Sequence, residues 1–165
     1  MADAKFIVWL DGIILKIDLT EYLYKLYKGE EVEIPENYEK FEDWDYFSSV
    51  VGDKNIAILS PYDDKITYKI ANKLNLLKFL IIPRKTKTKP SKEPYVELFK
   101  IVDWNPLNTI TIASSPLDLL SSRFFDSRIK VICIHRFQDC SKYSPYLYVE
   151  NLKKLIISLK RLRIL

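Results

Sequence analysis

The chain has 165 residues, 48% of them hydrophobic and 29% charged, which suits one domain with its own core and excludes a disordered, low-hydrophobicity segment. Its 26 basic and 22 acidic residues leave a modest formal charge of +4, so the distribution of charge says more than the total. The longest apolar runs, such as LLKFLII from Leu76 and LIISL near the C-terminus, fall short of the ~20 residues a membrane span needs. MADAK carries no signal-peptide pattern, so a cytoplasmic protein without a membrane partner is expected.

In chain order, Lys5 to Leu10 reads as a buried strand and GIILKI as a short extended return. LTEYLYKLYKG reads as a helix, with Thr20 able to cap it and Gly29 to stop it. The acidic stretch Glu30 to Asp45, which contains Pro35, is expected to be loop leading into a short helix around Trp44 to Val51. NIAILS is a strand. PYDDKITYKIANKLNL follows as a helix, with Pro61 suited to a first turn and Ile66, Ile70 and Leu74 on one stripe. LKFLIIP is another strand, and a basic loop from Arg84 to Lys92 leads into EPYVELFKIVDW, a helix with Val96, Phe99 and Ile101 or Val102 facing inward. NTITIAS, PLDLLSSRFF and IKVICIH read as strand, helix and strand, and YLYVENLKKLIISLKRLRIL as a closing helix with Leu152, Leu155, Ile156 and Leu159 at helical spacing.

Strand and helix thus alternate about five times, and several strands are apolar on both faces, which requires a mostly parallel sheet covered by helices on both sides. The expected architecture is a single-domain, three-layer Rossmann-like α/β fold over residues 1–165 with a five-stranded sheet. Ligands in such a sheet bind outside the carboxyl ends of the strands near the switch point, which directs attention to Trp9–Gly12, Ser60 and Ala113–Asp118.

The chemistry available there is restricted. Glycine occurs only at 12, 29 and 52, so neither a GxGxxG fingerprint nor a Walker loop can form. His135 is the lone histidine, and no glycine-flanked nucleophile elbow surrounds Ser114 or Ser115. Cys133 and Cys140 cannot make a disulfide framework; CIHRFQDC could supply three metal ligands but no fourth, and the expectation is a reduced core thiol and a strand-end histidine. Gln138 is the only glutamine and Met1 the only methionine, a bias that fits a heat-adapted, thermophile chain.

FIVWLDGIIL, AILSPYDDK and TITIASSPLDLLSSRFFDSRIKVICI, in that order from Phe6 to Ile134, resemble the haloacid-dehalogenase-like (HAD) superfamily of phosphohydrolases. The resemblance implies a Rossmann-like sheet and a Mg²⁺-assisted aspartyl phosphate. The family's first motif is a strand ending in Asp-x-Asp-Gly-Thr, whose first carboxylate attacks phosphorus while the second serves as acid and base. Aligned on the glycine, Asp11 and Gly12 match the second aspartate and its glycine, Trp9 stands in the nucleophile's place, and Ile13 replaces the threonine. An indole offers no lone pair for attack and cannot ligate Mg²⁺. If Asp11 is shifted into the nucleophile position, Ile13 falls on the acid/base. Ser60 matches the phosphate-holding second motif, though a serine ending a strand is more often a helix cap. Lys89 or Lys92 corresponds to the third-motif lysine. In the fourth motif Ala113 and Ser114 occupy the first acidic pair and Asp118 the last, where it also complements a helix dipole. No insertion long enough for a large cap separates these motifs, and capless members tend to act on macromolecules or to dock.

The resemblance therefore implies a degenerate, pseudoenzyme HAD-like domain without catalytic residues, metal or cofactor, acting as a binding or assembly module for an unknown protein partner or a second copy of itself. The alternative is a Mg²⁺-dependent phosphatase or phosphotransferase using Asp11, Ser60, Lys89, Lys92 and Asp118, with metal on Asp11 and Asp118. A third reading is nucleic-acid association through Arg84, Lys85, Lys87, Lys89 and Lys92, in which alternation places Lys85, Lys87 and Lys89 on one side of an extended segment as a rail for phosphates. The last helix exposes Lys153, Lys154, Lys160 and Arg161 opposite its apolar stripe.

Overall fold

The apolar runs bounded by turn residues pair into a six-stranded parallel sheet in a computed structural model that describes residues 3–165. Residues 1 and 2 of the expected 1–165 domain lie outside the described residues. The strands are β1 (Lys5–Trp9), β2 (Ile56–Leu59), β3 (Leu80–Ile82), β4 (Thr109–Ala113), β5 (Lys130–Ile134) and β6 (Leu147–Val149). They stand in the order β3-β2-β1-β4-β5-β6, and each neighbouring pair is parallel. The chain builds outward from β1 through β2 to β3 and then crosses back to β4 on the other side. The switch point therefore falls between the C-terminal ends of β1 and β4.

Six helices cover the sheet: α1 (Thr20–Tyr27), α2 (Asp43–Val51), α3 (Asp64–Lys73), α4 (Glu93–Phe99), α5 (Pro116–Phe125) and α6 (Leu152–Arg161). The period-2 alternation of β1 assigns its side chains to two layers. Phe6 and Val8 pack with Leu23 of α1, Phe47 of α2, Ile70 of α3 and Leu155 of α6. Ile7 and Trp9 pack with Tyr95 and Leu98 of α4 on the opposite face.

Several expectations need correction. The sheet has six strands rather than five, because Leu147–Val149 pairs with β5 where the closing helix was expected to have begun. The helix waits for Asn151, whose side chain accepts a hydrogen bond from the Lys154 backbone N–H and so caps the first turn; Leu152, Leu155, Ile156 and Leu159 are buried as expected. GIILKI is not extended throughout: Leu10–Ile14 forms a wide turn closed by the Leu15 N–H to Leu10 carbonyl bond of 2.8 Å, with non-helical backbone at Asp11 and Gly12, and the chain becomes extended at Leu15. Helix α3 starts after Asp63, whose carboxylate accepts from the Ile66 N–H, rather than at Pro61. Helix α4 ends at Phe99 and buries Pro94, Tyr95 and Leu98, so Ile101 lies beyond it and is 63% exposed. Cys133 and Cys140 are joined in a buried disulfide rather than left as thiols. The chain reverses after β5 and brings their Cα atoms to 6.1 Å, within bridging range. His135 is exposed and its Nδ1 lies 2.6 Å from the Tyr148 hydroxyl. Among the described residues no group of three His, Cys, Asp or Glu side chains is arranged to hold a metal.

One buried ion pair ties the two ends of the fold together. The Arg136 guanidinium, after β5, donates two hydrogen bonds to the Asp43 carboxylate at 2.8 and 3.0 Å and a third to the Ile13 carbonyl at 3.0 Å. Its centre lies 3.8 Å from the Phe41 ring. The same carboxylate accepts from the Leu152 N–H at 3.0 Å, so α2, the β1 turn and the start of α6 share one charge cluster. Removing one member of such a pair leaves a buried charge without compensation. Asp43→Ala is therefore expected to lower unfolding free energy by about 3–5 kcal/mol in denaturant titration. Lys154→Ala, which breaks the exposed pair with Glu150, should cost less than about 1 kcal/mol.

Candidate functional site

At the switch point the end of β1, the end of β4, the first turn of α5 and the loop after β3 converge on one ammonium group. Lys89 Nζ donates to Asp11 Oδ2 at 2.7 Å and to Asp118 Oδ1 at 2.5 Å. It also stands 4.6 Å from the centre of the Trp9 ring, within reach of its negative π-face. Lys89 is 2% exposed, Asp11 3% and Asp118 not at all, and the Trp9 side chain is fully buried. The cluster is sealed from solvent.

Local sequence explains how each group is held. Ser115 caps α5, its hydroxyl accepting from the Asp118 N–H at 3.4 Å, and Pro116 suits the first helical position. That geometry aims Asp118 back at the end of β4, where its Oδ2 accepts from the Ser114 N–H at 2.8 Å and its Oδ1 from the Ser115 hydroxyl at 3.2 Å. Gly12 adopts φ 82°, and a Cβ there would lie 2.3 Å from Ser114 Oγ. Only glycine permits both the left-handed backbone and this approach of the β1 turn to β4.

The electrostatics follow from burial. Desolvation pushes the Asp11 carboxyl above the usual carboxylate range; Lys89 pulls it back, and Asp118 pushes it up again. For Lys89, desolvation opposes the charged form, but Asp11 and Asp118 together outweigh it and hold the ammonium above its usual value. Three polar atoms at or beside this cluster are buried without a hydrogen-bond partner: Asp11 Oδ1, Trp9 Nε1 and Thr88 Oγ1.

The expected site residues separate here. Asp11, Lys89 and Asp118 meet. Lys92 is exposed at the start of α4 and touches neither carboxylate, so Lys89 is the lysine that joins the cluster. Ser60 follows β2 and is buried, but its hydroxyl is taken up by Thr67 at 2.8 Å and by the Tyr62 N–H at 3.1 Å; it neither bonds the cluster nor caps α3, whose cap is Asp63. Along the basic loop, Lys87 is exposed and Lys85 is paired with Glu97 at 2.8 Å, while Lys89 turns inward; the three do not form one rail. Sequence reasoning missed Ser115, although Ser-Pro-Leu-Asp at 115–118 has capping-box spacing. It also missed Trp9 as the surface under an ammonium, for which no sequence signal exists.

The metal that the HAD resemblance implies does not suit this donor set. Mg²⁺ requires near-octahedral oxygen ligands at ~2.0–2.1 Å, whereas Lys89 Nζ already occupies the position between Asp11 and Asp118. Asp118 spends both oxygens on Lys89, Ser114 and Ser115. The cation of this cluster is the lysine.

Because the folded-state pKa of Asp11 is raised above 3.8, Asp11 favours the fold below that value and loses this contribution as pH rises through the raised value. Chemical unfolding across pH should therefore show Asp11→Asn gaining stability relative to the parent as pH increases above 3.8. Lys89→Met, which strips both carboxylates of their counter-charge, should cost about 3–5 kcal/mol at neutral pH.

No protein-family model matches the sequence, and no curated protein matches it. Solved structures do. A haloacid-dehalogenase-like hydrolase from Streptococcus pneumoniae superposes with a TM-score of 0.70 at 13% identity, covering 95% of this chain and 98% of its own. A HAD-hydrolase from Bacillus subtilis bound to magnesium gives 0.70 at 14% identity, covering 96% and 100%. A haloacid-dehalogenase-like protein of unknown function from Agrobacterium tumefaciens gives 0.72 at 9% identity, covering 98% and 100%. With the switch-point cluster between β1 and β4, these likenesses assign the chain the HAD-like α/β fold.

Proposed function

We propose that the chain is a HAD-like binding module that does not transfer phosphoryl groups. The observation that carries this reading is the Lys89 ammonium seated between Asp11 and Asp118 over the Trp9 ring. In the register aligned on Gly12, the β1 residue that would attack phosphorus is Trp9, which has no nucleophilic atom. The Trp9 ring is fully buried among Ile7, Ala57, Leu59 and Tyr95, and the Lys89 ammonium offsets part of the negative charge that would attract a divalent cation. The partner is a protein, a second copy of the chain or a ligand reached at the open edge of the switch point. Composition and the buried disulfide together fit the cytoplasm of a heat-adapted organism.

One observation favours a second reading, an Asp11-dependent phosphatase: Asp11, Lys89 and Asp118 come from distant parts of the chain yet meet at the place where α/β sheets bind ligands. That reading requires Lys89 to leave its carboxylates and Asp11 to become accessible. The two separate in one assay. Incubated with p-nitrophenyl phosphate and Mg²⁺, the protein is expected to release no phosphate above the buffer rate, and calorimetry should detect no Mg²⁺ binding. Turnover that Asp11→Asn abolishes would establish the phosphatase instead.

A further inference from the structure

The open cleft beside the sealed cluster has a chemistry of its own. It lies between α1, α5 and the loop after β3, with a volume of about 560 Å³, in the range of small-ligand sites. No acidic side chain lines it, while Arg84, Lys85, Lys87 and Lys89 do, the last with its ammonium turned inward to Asp11 and Asp118. Lys85 is held by Glu97, but neither Arg84 nor Lys87 enters an ion pair among the described residues, so their charge is free for a ligand. Tyr27 and Phe124, from α1 and α5, also line the cleft and are 65% and 60% exposed. Thr88 completes the lining; it is 7% exposed and its hydroxyl finds no partner in the protein.

Free cations next to exposed aromatic faces suit a ligand that carries an anionic phosphate and a flat ring. We propose that this cleft binds a nucleotide, free or within a single strand, stacking the base against Tyr27 and Phe124 and pairing the phosphate with Arg84 and Lys87. The inference rests on the reading of the chain as a binding module and gives that module its ligand class. An acidic peptide would satisfy the cations but would leave both rings without a stacking partner.

The test uses the full chain and a fluorescein-labelled oligothymidylate followed by anisotropy, with AMP, inorganic phosphate and polyglutamate as competitors. Binding is expected to weaken with salt, and Lys87→Ala should reduce the logarithmic salt slope by about one. Tyr27→Ala and Phe124→Ala should each weaken binding about tenfold or more, whereas Lys154→Ala on α6 should leave it unchanged. A strand that binds more tightly than AMP identifies single-stranded nucleic acid as the source of the ligand; equal affinity identifies the free nucleotide. The proposal is overturned by no binding, by binding indifferent to both aromatic substitutions, or by phosphate or polyglutamate competing as well as AMP. Phosphate release with nucleotide binding intact would remove only the non-catalytic reading, and absent binding without phosphate release would remove only this inference.

Discussion

The arrangement at the switch point depends on one ammonium group shared by two carboxylates out of contact with water. Two buried carboxylates facing each other repel, and each pays heavily for desolvation; Lys89 makes their proximity tolerable, and they in turn keep its charge in the interior. The partners arrive from three separate places in the chain: the turn after β1, the loop after β3 and the first turn of α5. The interaction therefore fixes how the central strand, the crossover loop and the helix after β4 meet. Breaking it would expose an uncompensated charge at the middle of the sheet rather than a local defect at its rim.

Trp9 has a double role in that arrangement. Its ring belongs to the apolar layer formed with Ile7, Leu59 and Tyr95, and the same ring supports the ammonium from below. Packing and electrostatics thus converge on one side chain at the switch point of the sheet. Arg136 performs a related task on the opposite layer, where its guanidinium joins Asp43, the Ile13 carbonyl and the face of Phe41. Outside the sealed cluster, α1, α5 and the basic loop stand apart and leave an open cleft.

Much of the fold was legible because its cause is local. Runs such as FIVWL and NIAILS are apolar at successive positions, which only a strand covered on both faces can use. Leu152, Leu155, Ile156 and Leu159 repeat with the helical period and all face the core. β6 was not legible: three residues of mixed exposure carry no period of their own, and they become a strand only because β5 presents an edge. The disulfide was hidden for a similar reason, since Cys133 and Cys140 approach through the path of the chain after β5 rather than through any pattern. At the site, Asp11 and Asp118 could be picked out by their places at strand and helix ends. The choice between Lys89 and Lys92 could not, because an inward turn of a loop is a tertiary property. The alternating lysines of the loop pointed to an extended rail, and burial of Lys89 between two carboxylates outweighed that local pattern.

The contact between Gly12 and Ser114 and the ring beneath Lys89 also constrain the evolutionary future of the chain. An aspartate introduced at position 9 would remove the support of the ammonium and set a third carboxylate beside a single positive charge. A carboxylate at 114 would have to fit where a single Cβ on Gly12 would already collide with the serine hydroxyl. Neither replacement fits beside the existing cluster without relocation of Lys89, so positions 9, 12, 89 and 114 can change only in concert, and drift is freer on the surfaces around them.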